Sequence, residues 1–173
     1  MDGLLLRIAH IWGVAGAAFL SGYIACFSHA GVPTLSVAPI DTLVHEFKTM
    51  YAIGKASSPL VAITVTLCNA YSAYHASQDG NPSHGAVSSS TLLIAATICV
   101  PLIIPYTVLR MEPAVNRKLI ALGAKVEKGA KAQDLGVRED EVRNLLKSWK
   151  GMNFVRAALV AAGACLTAIA VIA

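Results

Sequence analysis

Charge is scarce in this sequence. Only 14% of its 173 residues are Asp, Glu, Lys or Arg, against about 25% in an ordinary soluble domain. The deficit is concentrated, because residues 8–40, 56–78, 80–109 and 157–173 contain none of the four. Hydrophobic residues make up 55% of the chain and the mean hydropathy is +0.60. A helix needs about 20 apolar residues to cross a bilayer core. These absences argue against a water-soluble globule. They predict an all-α integral membrane bundle of four transmembrane helices, roughly 5–28, 57–76, 88–109 and 153–173. The last uncharged run has 17 residues. It reaches full length by starting near Asn153, with Arg156 snorkelling to the surface. Four spans fill most of the chain, so 1–173 is expected to be one domain.

Motifs are equally scarce. There is no G-x-G-x-x-G, no P-loop and no Cys-x-x-Cys, which removes the usual nucleotide and thiol-redox signatures. The four cysteines, Cys26, Cys68, Cys99 and Cys165, fall in four different apolar segments. No pair has metal-ligand spacing, and they read as small buried apolar residues. A cleaved signal peptide is disfavoured. The first apolar run is longer than the 7–15 residues of a signal core, although Ser28-His29-Ala30 offers small residues at a plausible cleavage spacing.

The charge that is present is clustered. Of 14 Lys and Arg residues, ten lie between 110 and 150. The positive-inside rule makes 110–152 a basic cytoplasmic loop and puts 29–56 on the same side. A basic segment beside a bilayer suits anionic lipid. Nothing suggests a nucleic-acid partner, since no aromatic interleaving accompanies the basic residues. Between the first two spans, Leu43, Val44, Phe47, Met50 and Tyr51 share one helical arc, with Asp41, His45, Lys48 and Thr49 opposite. That pattern predicts a short amphipathic helix over 41–55, lying at the membrane interface. Pro59 is expected in the first turn of the second span. Pro101 and Pro105 are expected to kink the third, and Pro113 to begin a new helix.

Ionisable groups in or beside a span are functional candidates by default. Trp149, Asn153 and Arg156 fall on one helical face, where a guanidinium fork could hold an enolate or phenolate. The plainer alternative is an anchor at the membrane interface. The stretch PYTVLRMEPAVNRKL (105–119) brings Tyr106 and Arg110 together at a spacing of four, with Asn116 beyond Pro113. A basic stop signal accounts for Arg110, Arg117 and Lys118 but less well for Tyr106 and Asn116. His45 is expected to face solvent and His10 to make a structural hydrogen bond. His75, Asp79 and His84 have only weak metal-ligand spacing, and no metal is expected.

Four segments in order resemble the fungal anthrone oxygenase family, small membrane proteins of aromatic polyketide pathways. They are LRIAHIWGVAGAAFLSGYIACFSHAGVPTL, YAIGKASSPLVAI, PYTVLRMEPAVNRKL and WKGMNFVRAAL, together about two fifths of the chain. The positions matching the family pattern are Pro33, Tyr51, Gly54, Pro59, Pro105, Thr107, Asn116, Trp149, Asn153 and Arg156. The resemblance implies oxidation of a lipophilic aromatic polyketide, an anthrone, to an anthraquinone with molecular oxygen as co-substrate and no cofactor. It implies an internal membrane such as the endoplasmic reticulum. On this reading the catalytic residues are Tyr51, Tyr106 and Arg156, and the substrate-binding residues are Asn116, Trp149 and Asn153. Tyr51 would need a nearby cation such as Lys55 to act as a base. Two other classes stay open: a small carrier for a lipophilic metabolite, and a non-catalytic membrane adaptor for pathway enzymes. A carrier usually shows internal repeats, absent here, and an adaptor has no need of Tyr106, Asn153 and Arg156 on one face. Association with pathway enzymes, or with further copies of the chain, is compatible with each.

Overall fold

The computed structural model describes residues 2–78 and 87–172. Among these residues the protein is all-α, 90% helical and without strands. Four long helices carry it: α1 (Gly3–Ser36), α2 (Ile40–Gln78), α3 (Ser89–Glu127) and α4 (Glu139–Ile172). Each is long and apolar enough to cross a membrane, the make-up of a multi-pass membrane protein. At 1.5 Å per residue, the 34 residues of α1 reach about 50 Å, against a hydrocarbon core of about 30 Å. Each helix therefore has length to spare beyond its apolar run.

That surplus explains where the observed boundaries depart from the sequence reading. The stretch 41–55 is not a separate interfacial helix but the first part of α2, which continues through Pro59. Pro59 thus sits inside the helix rather than in its first turn, and cannot donate to the Lys55 carbonyl. Most of 110–152 is helix as well, as the end of α3 and the start of α4, and only 128–138 connects them irregularly. Charge in these stretches marks the end of the apolar run but not of the helix, and the backbone stays helical beyond it.

Proline acts differently from expectation in α3. The helix starts at an N-cap, Ser88, whose side chain accepts from the Thr91 N–H at 3.2 Å. It loosens into a turn at 100–102, around Pro101. From Thr107 to Asn116 it winds with wider, i→i+5 turns, and Pro113 lies inside that winding instead of starting a new helix. The Arg117 N–H accordingly reaches the Glu112 carbonyl. A similar wide turn occupies Phe27–Gly31 of α1. Such turns are rare and occur often at functional sites.

The packing forms two compact units, each taking a part of all four helices. One comprises Met1–Gly22, Ser58–Ile103 and Ala157–Ala173. Its interior is built from small residues such as Ala17, Ala62, Ala96 and Ala164, which let helices approach closely where lipid supplies no hydrophobic drive. Large side chains including Leu4, Ile11, Leu60, Ile94 and Ile172 point outward instead, as expected of surfaces that meet acyl chains. A polar bond crosses this interior: Thr167 Oγ1 donates to Asn69 Oδ1 at 3.2 Å. Gly13 makes room for it, since a Cβ there would lie 2.4 Å from the same oxygen.

The other unit comprises Tyr23–Ser57 and Ile104–Arg156, and its core is larger-grained. Leu43, Val44 and Phe47 of α2 pack with Met111 and Leu119 of α3 and Trp149 of α4. The arc predicted for 41–55 is therefore real, but it faces protein. Gly123 allows α3 to approach α2 so closely that a Cβ would lie 2.5 Å from the Val44 carbonyl oxygen. Ion pairs tie the polar rim, Lys48 to Glu127 and Arg143 to Glu139. Arg143 also donates to the carbonyls of Ser36, the last residue of α1, and of Ala38 just beyond it.

Candidate active site

The polar residues of interest all lie in the second unit. On α4, the spacing 149, 153, 156 puts three side chains on one face, and that face is turned inward: Trp149 is 3% exposed and Asn153 1%. Asn153 is tied down at both ends. Its Nδ2 donates to the Ile24 carbonyl at 2.8 Å and to Ser28 Oγ at 3.0 Å, both on α1, and its Oδ1 accepts from Arg156 Nη1 at 2.9 Å. Ser28 is itself fully buried and donates to the Lys150 carbonyl at 3.2 Å. The guanidinium is thus held in place from one side, while its Nε–H is buried without a hydrogen-bond partner.

The wide winding of α3 brings Glu112 and Asn116 to the same core. Tyr51 of α2 donates its hydroxyl to Glu112 Oε1. Asn116, fully buried, donates from Nδ2 to that oxygen at 3.3 Å and to the Tyr51 hydroxyl at 3.4 Å. Tyr51, Glu112 and Asn116 therefore close a three-membered polar cluster. Arg156 is near enough to Tyr51 for the two to interact electrostatically. Aromatic rings line the same neighbourhood. Phe47 stacks with Tyr51 at a centroid distance of 6.3 Å, and Trp149 meets Phe47 edge-on at 5.3 Å.

Three polar atoms around this cluster have no hydrogen-bond partner although buried: Trp149 Nε1, Arg156 Nε and Asn116 Oδ1. Buried polar groups are satisfied in nine cases of ten or more, and a buried indole N–H usually finds a partner. Two donors and one acceptor left open in an apolar, aromatic core are what a ligand carrying both an acceptor oxygen and a hydroxyl would complete.

The structure brings five of the six sequence-predicted site residues, Tyr51, Asn116, Trp149, Asn153 and Arg156, into this one network of contacts. The sixth, Tyr106, packs its half-buried ring against the hydrophobic core of the unit. Arg110, expected beside it, is exposed. Lys55 is exposed too. The cation that interacts with Tyr51 is Arg156, and the Tyr51 hydrogen is given to a carboxylate. Glu112 is the partner that the sequence reading passed over. The signal available was an acidic residue among basic ones beside Pro113, which read as part of a polar rim. Among the histidines, His45 is half-buried with Nδ1 unpartnered, and His75 sits edge-on to Tyr71 at 4.5 Å. Asp79 and His84 lie outside the described residues. No three His, Cys, Asp or Glu side chains converge among the described residues.

A family model described as anthrone oxygenase matches residues 47–166, a span that contains Tyr51, Glu112, Asn116, Trp149, Asn153 and Arg156. Anthrone oxygenase AgnL2 of Paecilomyces divaricatus is 30% identical over 160 residues, covering 91% of this chain and 92% of that protein. Monooxygenase hypC of Dothistroma septosporum is 27% identical over 150 residues, covering 86% of this chain and 74% of that protein. No solved structure matches the chain. With a family match over most of its length and a relative of that name aligned nearly end to end, the chain belongs to the anthrone oxygenase family, and that membership supports an oxygenase role.

Proposed function

We propose that the protein oxidises an anthrone to an anthraquinone with molecular oxygen, using its own side chains and no cofactor. The observation that carries this reading is the set of buried, unpartnered polar atoms on Trp149, Arg156 and Asn116, in the same aromatic core that holds the Tyr51–Glu112 hydrogen bond. A flat tricyclic ketone offers the matching features: faces for Phe47 and Trp149, and an oxygen for the open donors.

The chemistry asks little of the protein beyond these groups. The methylene of an anthrone is acidified by two aryl rings and by a carbonyl across the ring. Removal of one methylene proton, at Tyr51, leaves an enolate whose charge rests largely on the carbonyl oxygen. Arg156, held by Asn153, and the Trp149 N–H are the donors for that oxyanion. Donors fixed in advance at a developing charge are commonly the largest single contribution to catalysis. The electron-rich anion gives one electron to oxygen, and the resulting radical pair combines to form a carbon–oxygen bond. The peroxide takes up a proton. Loss of the second methylene proton and cleavage of the O–O bond release water and leave the new carbonyl. One atom of O2 ends in the quinone and the other in water. The substrate supplies four electrons to oxygen in all, two hydrogens leave with the water, and the protein returns to its starting state.

The test is oxygen uptake and quinone absorbance by the purified, detergent-solubilised protein given an anthrone, against the spontaneous background, with and without chelator. Quinone formation above background that persists in chelator is the expected result. Activity lost to chelator would overturn the cofactor-free mechanism. No acceleration of any anthrone, together with movement of such compounds across vesicles, would replace the enzyme reading by a carrier.

A further inference from the structure

Tyr51 raises a chemical problem on the page. A phenol accepts a substrate proton only as an anion, or while giving up its own hydrogen. Here the hydrogen is already committed to Glu112 Oε1. Among the charged groups of this neighbourhood Arg156 is the cation that bears on Tyr51, and Glu112 is the anion. The other carboxylates of the unit are engaged elsewhere or exposed: Glu127 with Lys48, Glu139 with Arg143, Asp140 with Arg138, Asp134 with the Lys131 N–H, Asp41 with the Thr42 N–H, and Glu46 and Glu141 in the open. Glu112 alone faces a phenol.

We infer that Glu112 is the terminal proton acceptor of the reaction, acting through Tyr51, with Asn116 holding the pair in register. This rests on the function proposed above. The step balances. The substrate C–H bond breaks toward the Tyr51 oxygen as the Tyr51 O–H bond breaks toward Glu112. Tyr51 ends as it began, Glu112 becomes a neutral acid, and the electron pair stays on the substrate as the enolate. One negative charge has moved from Glu112 to the substrate, and no new charge pair has been created. Tyr51 and Glu112 are half-buried, and this matters because separating unit charges away from bulk water costs more than in it. Arg156 balances the anion in both positions. The proton then returns along the same two groups to the peroxide, so the relay is ready to take the second methylene proton.

The double donation from Asn116 explains why a fully buried amide is placed there. Its Nδ2 touches both the donor and the acceptor oxygen of the relay, fixing the Glu112 oxygen that receives the proton. Its Oδ1 is buried without a hydrogen-bond partner.

The decisive variant is Glu112→Gln, which keeps an oxygen able to accept from Tyr51 but cannot take the proton. With the wild-type enzyme turning over an anthrone, Glu112→Gln should lower kcat by about a hundredfold or more, with KM held within about twofold. Substrate deuterated at the methylene should then show a larger isotope effect in the variant, since proton removal becomes slow. Glu112→Asp should recover part of the rate. Tyr51→Phe should lose a similar factor, and the double variant should be no worse than the poorer single one, as for groups that act as a unit. A Glu112→Gln enzyme at the wild-type rate, or one changed in KM alone, overturns the relay while leaving the anthrone oxygenase reading in place. A wild-type protein inactive on every anthrone overturns that reading itself, and the relay with it.

Discussion

Arg156 donates from Nη1 to the side-chain oxygen of Asn153 at 2.9 Å, one turn back along α4, and Asn153 is in turn fastened to α1. A guanidinium held this way has little freedom left to lose when an oxyanion arrives. Arg156→Ala is therefore expected to lower turnover by about a hundredfold or more, the usual effect of deleting a fixed oxyanion donor, while the protein still folds and inserts. Asn153 keeps its two bonds to α1 in that variant, so the cost in stability should stay near 1 kcal/mol. Turnover assay and thermal melting in the same detergent check both halves. Unchanged turnover would remove Arg156 from the mechanism.

Trp149 separates ring from donor. Trp149→Phe retains an aromatic partner for Phe47 and deletes the unpartnered Nε1–H. Leaving a buried donor unsatisfied costs about 1–3 kcal/mol, so its removal should leave the melting temperature unchanged or higher. The same change should reduce kcat/KM by about tenfold, the loss of one hydrogen bond to substrate of about 1.4 kcal/mol. A variant that loses stability and keeps its activity would show that the indole N–H serves the fold.

The contrast between α4 and α2–α3 shows what a sequence can and cannot carry. Trp149, Asn153 and Arg156 were legible because helical periodicity fixes their common face whatever surrounds it. Four apolar runs likewise declared four spanning helices. Tyr51 and Glu112 are 61 residues apart, and nothing local says that a carboxylate in a basic stretch will turn inward to meet a phenol. The continuity of α2 through 41–55 was missed because a polar arc beside a span looks like an interfacial helix until the Phe47 face is seen buried. Helical spacing puts Tyr106 and Arg110 on neighbouring positions, but it does not say that the Tyr106 ring packs on the core while Arg110 stays exposed.

In the unit that lacks the candidate site, Gly13 leaves space for one oxygen. Gly13→Ala would place a Cβ 2.4 Å from Asn69 Oδ1, forcing Asn69 away from Thr167. Overpacking of this kind costs about 1–3 kcal/mol, and the interhelical bond itself about 0.6 kcal/mol. Thermal melting should show the destabilisation, and adding Asn69→Ala should relieve much of it, because the 2.4 Å contact then has no target and only the Thr167 methyl at 3.1 Å remains close. Additive losses in the double variant would mean that Gly13 and Asn69 do not constrain one another. Anthrone turnover measured well below the melting transition should stay near wild type.

Pro113 gives the sharpest separation of stability from activity. It sits within the i→i+5 winding of Thr107–Asn116, where it has no N–H to donate and would clash with the carbonyl four residues back in an α-helix. Pro113→Ala removes both obstacles and lets the segment rewind to α geometry. An interior proline costs about 3 kcal/mol relative to alanine, so the variant should melt at a higher temperature. Rewinding would also turn the residues beyond it by roughly one helical position, about 100°, carrying Asn116 away from Tyr51 and loosening Glu112. Turnover should then fall while the fold strengthens. A variant that is both more stable and fully active would show that the wide turns only accommodate the proline. One that loses activity as it gains stability would show that the proline keeps the helix in the winding the site requires.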